Sequence, residues 1–235
     1  MNNWKKIWEK REIKYDMIGV ADKNELFAEL KRCNGFDVIG GVPLESLLKQ
    51  YNATKEKMLQ FNPSSKSVYE VGCGSGANIF MFAQDGWRVG GIDYSNSLIS
   101  IAKRVLDTDD LICAEAADTP VNPKYDCILS NGVFAYFENY DYALTTLEKM
   151  YEKANNSIVL IDIHDVEKEE AYHAYRKAEI KDYEERYRGL PKLFYSKKFF
   201  EDFATSKNMQ IEFYECDMEG YWNDGFTFHL IMNKK

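Results

Sequence analysis

The stretch Val68-Tyr69-Glu70-Val71-Gly72-Cys73-Gly74-Ser75-Gly76 combines an apolar run, an acidic residue and three glycines at alternate positions. It predicts a buried strand, a tight loop and a helix that begins near Ala77. Glycines let a ligand lie against the backbone, and we expect this loop to leave backbone N–H groups free at the helix start. A second apolar run ends in Asp93, whose carboxylate can accept both hydroxyls of a ribose. The two sites together predict an adenosine-containing cofactor.

The glycines alone do not decide which cofactor binds. The pattern Gly72-x-Gly74-x-x-Ala77 satisfies the loose dinucleotide motif, so NAD and FAD stay open. Glu70 argues against them, because a carboxylate at the strand end repels a pyrophosphate and attracts an ammonium group. Glu115 follows a third apolar run, where it can accept a hydrogen bond from an adenine amino group. Both acidic residues favour an adenosine cofactor that carries an amino acid.

Four motifs in order resemble the class I S-adenosylmethionine-dependent methyltransferases. They are Glu70-x-Gly72-x-Gly74-x-Gly76, Gly91-Ile92-Asp93-Tyr94-Ser95, Glu115-Ala116 and the run Tyr125 to Asn131. The resemblance implies that the chain is a methyltransferase that uses S-adenosylmethionine and releases S-adenosylhomocysteine. The cofactor-binding residues that it implies are Glu70, Gly72, Gly74, Gly76, Asp93, Tyr94, Glu115, Ala116, Ser130 and Asn131. Glu115 departs from the family's usual aspartate by one methylene.

The alternation of strand-like and helix-like segments predicts an α/β fold. With the resemblance, the expected architecture is a Rossmann-like, doubly wound, seven-stranded sheet whose last strand is antiparallel. Residues 1–235 are expected to form one methyltransferase domain. Its expected parts are an N-terminal helical cap (1–63), a cofactor-binding core (64–163), a helical insert or lid (164–192) and the C-terminal part of the sheet (193–235).

Composition narrows the class of partner. The net charge is −8 and no run of five or more Lys or Arg residues occurs, which argues against nucleic acid. No apolar stretch has the length of a signal peptide or membrane span, so a cytoplasmic protein without membrane association is expected. The five cysteines form no C-x-x-C pair, and Cys73, Cys113 and Cys127 are interpreted as buried core residues. A small-molecule substrate and a monomer or homodimer are expected.

The acceptor is expected between aromatic-rich segments that surround the strand ends. Four of their residues are predicted to bind substrate, namely Trp8, Arg11, Tyr15 and Tyr140. His164 ends the fifth strand and is the predicted general base, with Tyr136 as a second catalytic residue. A hydroxyl acceptor profits from a general base, whereas an amine acceptor must merely be unprotonated, so O-methylation is expected over N-methylation. No metal site is predicted, because strand alternation places Asp162 and His164 on one face and Asp165 beyond the strand. Arg11, Arg176, Arg186 and Arg188 could bind a phosphate or carboxylate on a small substrate, but they are interpreted as surface charges interleaved with glutamates.

A second resemblance concerns the acceptor. Trp4-x-x-x-Trp8-x-x-Arg11 and the run Ser130 to Phe137 are similar to methyltransferases found with bacterial surface-polysaccharide genes. It implies a sugar, a sugar nucleotide or a capsule or surface-polysaccharide precursor as the substrate. Two alternatives from other classes are an NAD-dependent oxidoreductase and a non-catalytic partner subunit that binds S-adenosylmethionine.

Overall fold

A computed structural model describes residues 4–13, 19 and 22–235 of the chain. Its strands are β1 (Ser67–Val71), β2 (Arg88–Asp93), β3 (Leu111–Cys113), β4 (Tyr125–Asn131), β5 (Ala154–His164), β6 (Met209–Tyr214) and β7 (Thr227–Lys234). Its helices are α1 (Lys5–Trp8), α2 (Lys23–Cys33), α3 (Leu44–Phe61), α4 (Ala77–Gln84), α5 (Asn96–Val105), α6 (Tyr140–Lys153), α7 (Glu169–Glu179), α8 (Tyr183–Arg186) and α9 (Lys197–Ser206). Within this part of the chain, no helix is both long and apolar enough to cross a membrane.

The seven strands form one mixed sheet in the order β3-β2-β1-β4-β5-β7-β6. Strands β1 to β5 are parallel, β7 is antiparallel to β5, and β6 is antiparallel to β7. The predicted fold class is therefore confirmed. The strand order reverses between β1 and β4, and in open α/β sheets the crevice at such a reversal, outside the carboxyl ends of the strands, is where ligands bind.

Helices cover both faces of the sheet, which explains why the central strands are mostly buried. All five residues of β1 are buried, as expected for a parallel strand with a helical layer on each side. One apolar cluster includes Leu47, Phe82 and Ile101 from α3, α4 and α5. The other includes Leu147 and Phe200 from α6 and α9. The two layers hold the strand ends in a fixed arrangement.

Local capping sets the start of four helices. The side chains of Asp22, Ser95, Asn139 and Ser196 each accept a backbone N–H from the first turn of α2, α5, α6 and α9. Cys73 and Cys127 are buried as expected, but Cys113 is exposed. The prediction for Cys113 was wrong because β3 is a short strand at the edge of the sheet. The division into cap, core, insert and C-terminal part stays a prediction.

Strand β5 is irregular where it reaches the ligand crevice. Its register against β7 shifts between Leu160 and Ile163, and Asp162 has a φ of 57°. Left-handed backbone at a non-glycine residue costs free energy of about 1–3 kcal/mol and tends to occur at functional sites. The simple alternation expected for Asp162 and His164 is therefore interrupted at this bulge.

Candidate active site

A cavity of about 1170 Å³ lies at the carboxyl ends of the parallel strands. One part, here the β1–β3 half, is lined by Glu70, Gly72, Asp93 and Glu115. The other, here the β5 half, is lined by a larger set, Tyr136, Asp162, His164, Arg176, Lys192 and Tyr221. A site for a single ligand typically measures roughly 300–1000 Å³. The cavity is thus large enough for two ligands side by side.

The glycine loop is held by hydrogen bonds within the protein. The N–H groups of Gly72 and Cys73 both donate to the carbonyl of Ile92, at 2.7 and 3.0 Å. Gly74 N–H donates to Asp93 at 2.9 Å, and Ser75 N–H donates to the side chain of Asn34 at 2.8 Å. The expectation of free loop N–H groups was wrong, because neighbouring elements supply acceptors. A pyrophosphate would therefore find few unused donors in this loop.

The Asp93 carboxylate connects the loop that follows β1 with the loop that follows β2. Its Oδ2 accepts from Gly74 N–H, and its Oδ1 accepts from Ser95 N–H at 2.8 Å. Burial raises the pKa of Asp93 to about 6, although these two N–H groups oppose the rise. A carboxylate oxygen can accept more than one hydrogen bond. Asp93 can therefore hold the loops and still accept the hydroxyl groups of a ribose.

Glu70 is a buried acid with one unused oxygen. Asn78 Nδ2 donates to its Oε1 at 2.6 Å, whereas Oε2 has no hydrogen-bond partner among residues 4–13, 19 and 22–235. Burial raises the pKa of Glu70, and the nearby charge of Lys31 opposes that rise. A buried polar atom without a partner carries a free-energy cost that a ligand can remove. A ligand ammonium would satisfy Oε2.

Lys31 lines the cavity and forms a buried polar link with Gln50, and no sequence pattern indicated this link. The Lys31 ammonium donates to Gln50 Oε1 at 3.2 Å and lies 4.5 Å from the centre of the Phe36 ring. Asn131 Nδ2 donates to the same oxygen at 3.1 Å. Burial lowers the pKa of Lys31. Both residues lie on ordinary amphipathic helices, so no pattern distinguished them.

Tyr142 connects Glu115 with the backbone that follows β3. Its hydroxyl lies 3.4 Å from Glu115 Oε2 and accepts from Ala117 N–H at 3.3 Å. Glu115 and Ala116 both line the cavity. This edge of the β1–β3 half therefore offers the carboxylate and the apolar surface that an adenine would contact.

Helix α1 lies across the cavity and ties its two sides together. The Trp8 carbonyl accepts from Ser97 Oγ at 3.0 Å, and Glu9 Oε1 accepts from Asn96 N–H at 3.0 Å. On the other side, Trp4 Nε1 donates to the carbonyl of Pro191 at 2.9 Å. The segment that carries α1 thus covers both halves, and a small ligand fits beneath it better than a macromolecule.

In the β5 half, Tyr136 is enclosed by aromatic and cationic side chains. Its ring centre lies 4.9 Å from that of Trp4 and 5.5 Å from that of Trp8. The Lys192 ammonium lies 4.6 Å from the Tyr136 ring centre. Burial raises the pKa of Tyr136 to about 12. Its hydroxyl therefore keeps its proton at neutral pH, so it can orient a ligand by hydrogen bonding.

His164 and Asp162 are two buried groups of this half that could accept a proton from an acceptor hydroxyl. His164 is buried, its Nε2 lies 3.3 Å from Asn223 Oδ1, and its Nδ1 has no partner in the described part of the chain. Burial and the charge of Lys192 lower the pKa of His164 well below its usual value. The imidazole is therefore neutral, and with its proton on Nε2 it presents a free Nδ1 lone pair.

Asp162 is also buried, and one of its oxygens is unused. Tyr221 donates its hydroxyl to Asp162 Oδ2 at 3.0 Å, and Asp162 N–H donates to His229 Nδ1 at 3.0 Å. Asp162 Oδ1 has no hydrogen-bond partner among the residues described. His229 Nδ1 accepts from the backbone, so it carries no proton that it could donate to this carboxylate. A strained backbone thus holds a buried carboxylate against the cavity.

Most predicted site residues meet in this cavity. Those that line it are Glu70, Gly72, Gly74, Asp93, Tyr94, Glu115, Ala116, Asn131, Tyr136, His164, Trp8 and Arg11. Gly76 and Ser130 lie behind the wall, where Gly76 begins α4 against Leu106 and Ser130 Oγ donates to the Val71 carbonyl at 2.9 Å. Arg11 is paired with Asp37 at 2.7 Å. Their predicted ligand contacts stay predictions.

Two residues lie in other surroundings than the sequence suggested, and a third is outside the described part of the chain. Tyr140 is outside the cavity and 47% exposed, because its hydroxyl donates to the Phe194 carbonyl at 2.8 Å. Tyr15 lies outside the described residues. Arg176 is only 3% exposed, so its interpretation as a surface charge was wrong. Aromatic rings from α7, α8 and the loop before β7 surround the Arg176 guanidinium. These elements are separate in the sequence, so no local pattern indicated that Arg176 is buried.

Residues 69–154 match the family model described as "Methyltransferase domain". A curated relative, the malonyl-[acyl-carrier protein] O-methyltransferase of Priestia megaterium, is 28% identical over 91 residues. That match covers 37% of this chain and spans only 32% of the relative. The match identifies residues 69–154 as a methyltransferase domain, and the activity of the whole chain stays a prediction.

Solved structures show the same architecture. A plantazolicin methyltransferase in complex with a triazolic desmethylPZN analog and S-adenosylhomocysteine has a TM-score of 0.63 at 18% identity, with 100% of each chain covered. An amino pentose methyltransferase from Micromonospora echinaspora, solved with bound S-adenosylmethionine, has a TM-score of 0.60 at 10% identity, with 79% of this chain and 90% of that chain covered. These neighbours share the fold that the resemblance to class I S-adenosylmethionine-dependent methyltransferases implied.

Proposed function

We propose that the chain transfers a methyl group from S-adenosylmethionine to a small-molecule acceptor. The observation that carries this proposal is the buried Oε2 of Glu70, which has no hydrogen-bond partner in the described part of the chain and belongs to the same cavity wall as Asp93. An amino-acid ammonium matches Glu70, and a ribose matches Asp93. When bound, this cofactor supplies an electrophilic methyl carbon. NAD fits less well, because its pyrophosphate would meet a carboxylate and a loop whose N–H groups are already used.

The residues of the chain would divide the work between the two halves. Glu70 and Asp93 would hold the cofactor at its two polar ends, and Glu115 would accept from the adenine amino group. Tyr136 would orient the acceptor, and the aromatic side chains of α1 would exclude water above it. Because methyl transfer needs close, in-line approach, this positioning would supply much of the rate.

Titration calorimetry with S-adenosylhomocysteine tests the cofactor, with NAD as the control ligand. We expect micromolar binding of S-adenosylhomocysteine and no measurable binding of NAD. Binding of NAD alone would contradict the proposal and favour the oxidoreductase alternative. If S-adenosylhomocysteine binds but a broad acceptor screen gives no turnover, the non-catalytic partner subunit becomes the better interpretation.

We further propose O-methylation, with Asp162 or His164 accepting the hydroxyl proton. Asp162 is the stronger candidate, because its Oδ1 is unused, its backbone is strained and the pKa of His164 is depressed. A sugar, a sugar nucleotide or a surface-polysaccharide precursor offers suitable hydroxyl groups. The similarity in fold to an amino pentose methyltransferase is consistent with an acceptor of that size.

The variants Asp162→Asn and His164→Ala separate the two candidate bases. We expect Asp162→Asn to lower turnover about 100-fold or more, the effect of losing a general base, and His164→Ala to have the smaller effect. Asn is isosteric and tolerates the left-handed backbone, so the fold should persist. Both variants should bind S-adenosylhomocysteine with wild-type affinity. A larger loss in His164→Ala would return the role of base to His164, and full activity in both would indicate that no base is needed.

A further inference from the structure

Two of the cations that line the cavity lie in its β5 half and have no anionic partner within 4.0 Å in the described part of the chain. The guanidinium of Arg176 and the ammonium of Lys192 both line the cavity. Neither forms an ion pair within 4.0 Å in the described part of the chain, where pairs such as Arg11 with Asp37 do occur. Unpaired charges are costly to bury, so a folded protein normally pairs them or uses them. Their position needs an explanation in a chain whose net charge is −8.

Arg176 is held rigidly with one donor unused. Its Nη1 donates to the Tyr172 hydroxyl at 2.8 Å, and its guanidinium carbon lies 4.4 Å from the ring centre of Tyr187 and 5.0 Å from that of Trp222. Its Nε has no hydrogen-bond partner among the residues described. Arginine presents its donors in a planar fork that matches the oxygens of a carboxylate or phosphate. The aromatic residues fix the fork and take up its Nη1 donor through the Tyr172 hydroxyl, but the Nε donor has no partner in the described part of the chain.

Lys192 lies beside the same aromatic group. Its ammonium lies 5.8 Å from the ring centre of Tyr172 and 4.6 Å from that of Tyr136. Burial and the charge of Arg176 lower the pKa of Lys192 to about 7, and only Asp162 opposes this among the charges that act on it. The Arg176 guanidinium carbon lies 5.4 Å and the Lys192 ammonium 5.8 Å from the centre of the same Tyr172 ring, so the two cations are close enough to repel each other. An anion between them would remove that repulsion.

We propose that Arg176 and Lys192 form a binding site for an anionic group on the acceptor, either a carboxylate or a phosphate. The inference rests on the proposed function, because it takes the β5 half as the place of the acceptor. The anionic group would be anchored by the insert while Asp162, at the end of β5, faces the reacting part. The acceptor class is then a small molecule that carries both a hydroxyl group and a negative charge.

The test uses nitrogen-15 spectra of the arginine Nε–H groups in the full chain saturated with S-adenosylhomocysteine. Inorganic phosphate and acetate are titrated separately, with sodium chloride holding the ionic strength constant. The Arg176 signal is assigned by its loss in Arg176→Lys. We expect it to shift saturably at millimolar anion concentration. Phosphate alone would identify a phosphate ester, acetate alone a carboxylate, and both a general anion site. No saturable shift with either anion would overturn the proposal.

Matched variants locate the site. We expect anion affinity to fall about tenfold or more in Arg176→Gln and in Lys192→Met, as when a charged hydrogen-bond partner is lost. The control is Arg188→Gln, at an exposed position outside the cavity, and it should bind like the wild type. If Arg176→Gln fails to fold, the anion affinity of Lys192→Met is compared with that of the wild type and of Arg188→Gln instead. Unchanged affinity in the folded variants would overturn the proposal. Failure of the wild type to bind S-adenosylhomocysteine would instead refute the proposed function.

Discussion

Replacing Gly72 with alanine is expected to lower the free energy of unfolding by about 2–5 kcal/mol. Gly72 has a φ of 76°, and an added Cβ would lie 2.3 Å from Val133 Cγ2. Left-handed backbone costs an alanine about 1–2 kcal/mol, and forcing an extra carbon into packed surroundings costs about 1–3 kcal/mol. Chemical denaturation, followed by circular dichroism, measures the total.

Gly86 provides a matched control for this substitution. Its φ is 77°, and an added Cβ would meet nothing within 4 Å. Gly86→Ala should therefore show only the backbone cost, about 1–2 kcal/mol. The double variant Gly72→Ala with Val133→Ala should recover part of the steric cost. Equal destabilisation by the two single variants would mean that the contact with Val133 relaxes freely, and the steric argument would then be wrong.

Replacing Asp93 with alanine is expected to weaken S-adenosylhomocysteine binding by about 1–3 kcal/mol, or roughly 5- to 150-fold. The carboxylate is the proposed acceptor for the ribose hydroxyls, and it also holds the N–H groups of Gly74 and Ser95. Asp93→Ala should therefore lower stability as well as affinity. Calorimetry and thermal unfolding measure the two effects separately.

Asp93→Asn separates the ligand contact from the support of the loop. Asparagine keeps one oxygen for a backbone N–H but loses the charge and turns one acceptor into a donor. We expect it to lose affinity with less loss of stability than the alanine variant. Asp109→Ala, an exposed acid outside the cavity, is the control and should change neither quantity. Wild-type affinity in both Asp93 variants would remove this residue from the proposed cofactor site.

The sequence was sufficient for the fold and the β1–β3 half because their signals are local. Glu70, the three glycines and Asp93 sit at strand ends that can be recognised from short apolar runs. The free N–H groups were mispredicted because Asn34, which binds the loop, lies 41 residues before Ser75. Such an acceptor follows only from the way that α2 packs against α4.

The β5 half was less predictable because its groups come together from distant elements. Asp162 has a left-handed backbone conformation at the point where β5 shifts register against β7. No residue type in this segment predicts such a bulge. Arg176 sits in a charged, tyrosine-rich segment that resembles a solvated helix. Its burial depends on Trp222, and two further helices and a strand separate the two residues in the chain.

The contact between Asn34 and the glycine loop bears on how such a protein could be re-engineered. Asn34 accepts from Ser75 N–H and donates to the Cys73 carbonyl at 3.4 Å, and Ser75 Oγ donates to the Leu30 carbonyl at 2.8 Å. The N-terminal helices are therefore part of the scaffold of the loop as well as a cover for the cavity. Exchanging them for those of a homologue to change selectivity would disturb the methyl-donor pocket, unless the grafted segment again ended its helix in an asparagine at this position.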